Sequence, residues 1–209
     1  LRYLNVRGVL AGLTNISDVR ATKMVDGQSV PAEGRLFYRG YEVKDLIEGF
    51  SKDGRFGFEE VTYLLLFDKL PNKKELEEFE KLLIYYRSLP TSFVRDIIMK
   101  APSKDMMNTL ARSILTLYAY DEAADDVSLP NVLRQCLQLI SLCPLLSIYG
   151  YQADSHYHDG QSFFIHPPLT EGSMAAHILH ILRPARPVTP LQAKLPASCI
   201  LHPMDPDGG

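Results

Sequence analysis

Residues Asp26–Leu46 read DGQSVPAEGRLFYRGYEVKDL and pack turn formers, an aromatic run and a charged helix start into one short stretch. Asp26-Gly27 is a tight-turn pair, because glycine reaches positive φ without steric cost and aspartate tolerates it. Leu36, Phe37 and Tyr38 then form a short apolar strand, which Arg39-Gly40 ends. Tyr41, Val43 and Leu46 take up helical spacing, so strand, turn and helix follow one another directly. Such a corner occurs in many folds, and what comes after it decides among them.

What comes after it is helix upon helix. Phe58, Val61, Leu64 and Leu65 fall at helical spacing and Pro71 stops them. Asn72 then caps a stripe of Leu76, Phe79, Leu82, Leu83 and Tyr86, with Glu77 and Lys81 paired on its wet side and an end before Pro90. Phe93, Val94, Ile97 and Ile98 make a short helix between Thr91 and Pro102. Asp105 caps the next, whose core face is expected to be Leu110, Ile114, Leu117 and Tyr118. From Ser128 onward, Leu133, Leu137, Leu139, Ile140, Leu142, Leu145, Leu146 and Ile148 cover nearly every side of a helix, as expected for one surrounded by others and kinked at Pro144. Gly150–Pro168 reads as a long histidine-bearing loop, and Ser173 caps a helix with Met174, Ile178, Ile181 and Leu182 inward, ended by Pro184. The pattern predicts a mainly α fold with a small β-meander at its N-terminus.

An apolar fraction of 46% over 209 residues supports one large or two small cores. A net charge of -3 and a pI near 6.1 give no electrostatic footprint for nucleic acid or an anionic membrane, and neither partner is expected. Cys136, Cys143 and Cys199 lack metal-ligand spacing and read as buried, reduced thiols. No leader opens the chain and no uninterrupted apolar stretch is long enough for a bilayer, so a cytoplasmic location is expected. Leu1 is not an initiator residue, which suggests that the true N-terminus lies upstream.

Three clusters could carry chemistry. The acidic run Asp121–Asp126 lacks the Asp-x-Asp-x-Asp-Gly pattern of a calcium loop and reads as a solvated helix end. His156, His158, Asp159 and His166 could share a metal if they lay on one extended segment, although a loop that hydrogen-bonds its histidines to neighbours is the better reading. His177 and His180, at i,i+3 on a helix, match the spacing of bundle metal sites but lack the facing carboxylates, so a core-edge or subunit-interface pair is expected. There is no nucleophile elbow, no phosphate-cradling loop and no dinucleotide turn.

The order Gly12-Leu13, Thr14, Ile16-Ser17, Asp26-Gly27, Gly34-x-Leu36-x-Tyr38-Arg39-Gly40-Tyr41 and Asp45-Leu46 resembles the first segment of the citrate synthase family, and GFEEVTYLLLFDKLP over 57–71 resembles the helix that follows it there. The resemblance implies a β-meander and first helix over 1–46, a helical large-domain portion over 47–184 and a degenerate tail over 185–209, with the family's small domain absent. It implies condensation of acetyl-CoA with oxaloacetate to citrate and free CoA, or of propionyl-CoA in the 2-methylcitrate synthases. No metal and no covalently bound cofactor are implied; acetyl-CoA is a co-substrate, and a homodimer is expected.

The tail LHPMDPDGG is similar to the family's L-H-x-x-H-x-G-G motif, in which the second histidine donates a hydrogen bond to oxaloacetate. Leu201-His202 and Gly208-Gly209 match its ends, which makes His202 the one candidate substrate-binding residue. Pro206 stands where the second histidine belongs and has no imidazole to donate. Thr189-Pro190-Leu191-Gln192-Ala193-Lys194 matches the start of the preceding helix, but Pro196 interrupts it at a cost of about 3 kcal/mol. The family's catalytic aspartate and histidines, its arginine clamps and its small domain would all fall beyond Gly209, so no catalytic residue is assigned within the chain. A non-catalytic helical fragment that dimerises is the alternative reading.

Overall fold

Two tight turns organise the N-terminal part of the structure, a computed structural model that describes residues 13–183. β1 (Ser17–Val25), β2 (Gln28–Tyr38) and β3 (Tyr41–Glu42) form an antiparallel sheet in the order β1-β2-β3. Asp26 and Gly27 have φ of 50° and 77°, and Arg39 and Gly40 have 48° and 86°. Two consecutive left-handed residues give a turn whose twist matches the strands it joins. Arg39 adopts this conformation without glycine's freedom, and its guanidinium donates to the Leu65 carbonyl at 3.0 and 3.3 Å. β2 runs for 11 residues, well beyond the expected Leu36–Tyr38, because pairing with β1 from the turn outward extends it. In that outer arm only Val30 and Ala32, on one face, are half-buried and the rest is exposed, too short an alternation to mark a strand in the sequence.

The chain divides into two compact units, with the boundary between Asn72 and Lys73. The first also contains α1 (Val43–Lys52) and α2 (Phe58–Phe67). Val61 and Leu64 are buried as their spacing predicts, and Asp68, left-handed at φ 63°, ends α2 by donating its N–H to the Leu64 carbonyl at 2.9 Å.

The second unit is built on α3 (Lys73–Tyr85), a short π-helix over Val94–Met99, α4 (Met106–Leu117), α5 (Leu129–Asp159) and α6 (Met174–Leu182). α5 is its axis and touches all the others. Phe93, Ile98, Leu117, Leu142, Leu145, Leu146, Tyr149 and Ile181 form the core around it. The buried seam of α3 is Phe79 and Leu83, while Leu82 is exposed, and Lys74 rather than Glu77 makes an i,i+4 ion pair, with Glu78 at 3.9 Å. On α4 the fully buried residues are Thr109, Ser113 and Leu117; Leu110 and Ile114 are half-buried and Tyr118 is exposed. Small side chains form this seam because α4 approaches α5 closely at Gly150, where a Cβ would lie 2.9 Å from Thr109 Cγ2.

α5 corrects three expectations. It passes Gly150 as helix and ends only at Asp159, where Gly160 at φ 66° takes the left-handed capping position. Its N-terminal half is not wrapped by neighbours: Leu133 is half-buried, and Val132 and Leu139 are exposed, as is Cys136, whereas Cys143 is half-buried. At 31 residues it is long and apolar enough to span a bilayer by length and composition, contrary to the sequence expectation. Its C-terminal half forms the centre of the core, with Leu142, Leu145 and Leu146 inaccessible to solvent, so it is a core helix.

The polar caps at Asp105 and Ser173 are made as the sequence predicts. The Asp105 carboxylate accepts the Asn108 N–H at 3.0 Å, and the Ser173 hydroxyl accepts the Ala176 N–H at 3.2 Å. Asp105→Ala removes the partner of an otherwise unsatisfied helix N–H and is expected to lower stability by about 1 kcal/mol, read from urea denaturation. A change within error would show that water replaces the cap.

Candidate functional site

After Gly160 the backbone makes no regular structure until α6, and polar side chains from α5, from α6 and from the chain after α3 hold it in place. His156 Nδ1 contacts the Gln161 carbonyl at 2.7 Å, and the Tyr149 hydroxyl donates to the His166 carbonyl at 2.5 Å. The Leu169 N–H donates to His177 Nδ1 at 3.2 Å, and the Arg87 guanidinium donates to the Gly172 carbonyl at 3.2 Å. Irregular backbone laid against a core needs such partners, since an unmet carbonyl or N–H would be costly there.

His177 is fully buried, and its role fixes its protonation. Accepting from Leu169 requires a lone pair on Nδ1, so the ring is neutral with its proton on Nε2. Nε2 is itself buried and has no hydrogen-bond partner among the described residues. Burial, then the positive charge of Arg87, then His180, push its pKa from 6.5 down to about 4.

A groove of about 590 Å³ opens beside this segment, lined by Tyr151, Gln152, Ser155, Gln161, Ser162, Phe164, Leu182 and Arg183. Gln152 also ties α5 to α6 by donating to the Ile181 carbonyl at 3.0 Å. Amides, hydroxyls, an aromatic ring and the Arg183 cation suit hydrogen-bonded recognition of a polar ligand. No carboxylate or histidine stands in this lining, so it presents no general acid–base pair among the described residues.

The histidine cluster does not converge. His156, His158 and Asp159 lie on α5 rather than on a loop, and residues two apart on a helix point to nearly opposite sides. His158 Nδ1 pairs with Asp154 at 2.7 Å, while the His166 ring stacks with Phe164 and meets His180 edge-on at 6.4 Å. His177 is at the core and His180 half-buried at its margin, the core-edge arrangement that the i,i+3 spacing suggested. Among the described residues, no three of His, Cys, Asp and Glu come together to hold a metal ion. The acidic run is stitched into its own loop. Asp121 accepts from Arg134 at 2.7 and 2.8 Å, which keeps its carboxyl below the usual range; Asp125 accepts from the Tyr118 hydroxyl and Asp126 from Ser128.

Arg87 is a buried structural donor that the sequence expectations do not include. It is only 2% exposed, and it continues the Phe79–Leu83 seam at the same four-residue spacing. That spacing was a legible signal of burial, masked by the residue's charge. His202, Pro206 and the Pro190–Pro196 stretch lie outside the described residues, as does Cys199.

Comparison with known proteins gives this scaffold its relatives. The family described as citrate synthase, C-terminal domain, matches residues 5–205. The 2-methylcitrate synthase of Shewanella oneidensis is 28% identical over 197 residues, which are 94% of this chain and 46% of that protein. The 2-methylcitrate synthase 2 of Corynebacterium glutamicum is 36% identical over 105 residues, 49% of this chain and 23% of that one. The citrate synthase structure from Pyrobaculum aerophilum superposes with a TM-score of 0.72 at 23% identity, covering 94% of this chain and 46% of its own. The Thermoplasma acidophilum citrate synthase, solved with carboxymethyl coenzyme A and oxaloacetate, gives 0.69 at 16% identity, with coverage of 94% and 46%. These superpositions show the mainly helical citrate synthase fold, and the chain spans about half the length of the relatives it matches over most of its residues.

Proposed function

The chain belongs to the citrate synthase family, and from that premise we propose that it is the scaffold-bearing portion of a synthase that condenses an acyl-CoA with oxaloacetate. The observation that carries this reading is the family match over residues 5–205, nearly the whole chain. Acetyl-CoA is the proposed acyl donor, giving citrate and CoA by proton removal next to a carbonyl and carbon–carbon bond formation. Propionyl-CoA, giving 2-methylcitrate, is the second reading, favoured by the Shewanella relative that aligns over 94% of the chain. The proposed assembly is a homodimer and the proposed compartment the cytoplasm.

These 209 residues are not expected to turn over by themselves. Of the described histidines, His156, His158 and His177 are each committed to a structural contact, and the family resemblance sets Pro206 where the motif has its substrate-binding imidazole. Purified 1–209 with oxaloacetate and either acyl-CoA should release free thiol no faster than a protein-free control; turnover above it would overturn the inactive reading. Pro206→His returns a donor to the tail, and calorimetry should then detect oxaloacetate binding that the parent lacks. Equal heats from both would remove residues 201–209 from the substrate site.

A further inference from the structure

The serine hydroxyls of α5 are not all used alike. Those of Ser141 and Ser147 donate to the carbonyls one turn back, Leu137 and Cys143, at 3.0 and 2.8 Å. Ser155, further along the same helix, is only 5% exposed, yet its hydroxyl makes no such bond among the described residues and lines the groove between α5 and α6. One turn back in the same lining, Gln152 donates its amide N–H to the Ile181 carbonyl at 3.0 Å. A carbonyl only accepts, so this bond fixes which end of the Gln152 amide is nitrogen and leaves Oε1 on the other side. That oxygen is buried and has no hydrogen-bond partner among the described residues. A buried acceptor left unmet is costly, and it calls for a donor from whatever fills the groove.

The charge in the lining points to an anion. Arg183 follows α6, and among the described residues its guanidinium has neither a carboxylate nor another acceptor. A bare inorganic anion is nevertheless a poor occupant. α6 ends at Leu182, itself in the lining, and the last carbonyls of a helix carry its negative end, which disfavours an anion and favours hydroxyl donors. Ser162 adds a further hydroxyl, and the exposed rings of Tyr151 and Phe164 set flat apolar surface beside these polar groups. The volume of about 590 Å³ lies within the range of about 300–1,000 Å³ that encloses a whole small molecule. The occupant therefore combines a negative group, several hydroxyls and an apolar face on one compact frame, which is the chemistry of a sugar bearing an acid.

We propose that the groove between α5 and α6 binds an anionic sugar, its phosphate or carboxylate on Arg183, its hydroxyls on Gln152 Oε1 and the Ser155 hydroxyl, and the C–H face of its ring on Phe164. The test is calorimetric titration of the full 209-residue chain with glucose 6-phosphate, glucuronate, glucose and inorganic phosphate. At least one of the two anionic sugars should bind at one site per chain, about tenfold or more tightly than glucose or phosphate, and the tighter of the two identifies the anion. Arg183→Gln should weaken that binding about tenfold or more, to near the affinity for glucose, and Ser155→Ala about threefold. Arg183 is exposed and the Ser155 hydroxyl holds no other group among the described residues, so both variants should fold, which circular dichroism checks. Phosphate binding as tightly as either sugar, variants with the parent's affinity, or no binding of either anionic sugar would each overturn the proposal. Displacement of the bound sugar by an equal concentration of oxaloacetate would also overturn it, by assigning the groove to the condensation proposed above.

Discussion

Gly150→Val is expected to destabilise the protein by about 3 kcal/mol, the upper part of the range for overpacking a tight interior. α4 and α5 meet at this residue so closely that a Cβ alone would sit 2.9 Å from Thr109 Cγ2 and 3.2 Å from Met106 Cε. Thr109 is 2% exposed and β-branched, so its methyl has no free rotamer to take. Valine adds two further methyls, and the helices must separate. Gly150→Ala combines a smaller clash with the better helix propensity of alanine, and Thr109→Ser deletes the methyl that is struck. Urea denaturation of G150A, T109S and G150A/T109S should therefore show a double variant more stable than the sum of the singles predicts. Strict additivity would mean that the helices already accommodate a side chain there.

The second large effect is one of pH. Unfolded, the His177 imidazole titrates near 6.5; folded, near 4. Between those values the unfolded chain binds the extra proton, so stability falls as pH drops from about 6.5 toward about 4, and the full contribution is present only above 6.5. Two and a half units correspond to about 3 kcal/mol. His177→Asn keeps a carbonyl oxygen that can accept the Leu169 N–H but cannot titrate. Urea melts at pH 7 and pH 4.5 should show the parent losing about 2–3 kcal/mol more than the variant over that interval. Equal losses would show that the buried ring is protonated without penalty. Since the same nitrogen holds Leu169, the Leu169 amide should also exchange faster in the parent at low pH.

These two residues mark where sequence reading stopped. The turns at Asp26-Gly27 and Arg39-Gly40, the caps at Asp105 and Ser173, and the stop before Pro71 depend on a few adjacent residues, so they are legible locally. Gly150 looked like the start of a loop because glycine weakens an isolated helix; in the fold it lets α4 approach, and α5 continues to Asp159. That misplaced end turned His156 and His158 into loop residues and made a metal cluster conceivable. Arg87 was passed over because a charge usually faces water, although its spacing placed it on the buried face of the chain leaving α3. The candidate substrate motif from His202 to Pro206 was legible only through family resemblance, since its residues have no local structural signature.

By itself the sequence determined most of the helices, where the hairpin turns, and the family, because each is written in residue identity and short-range spacing. Only the tertiary structure decided that α5 runs past Gly150 and that His177 is buried neutral beside Arg87. Those depend on which faces meet across long stretches of chain, and burial, pKa and pairing are properties of that meeting rather than of any one residue.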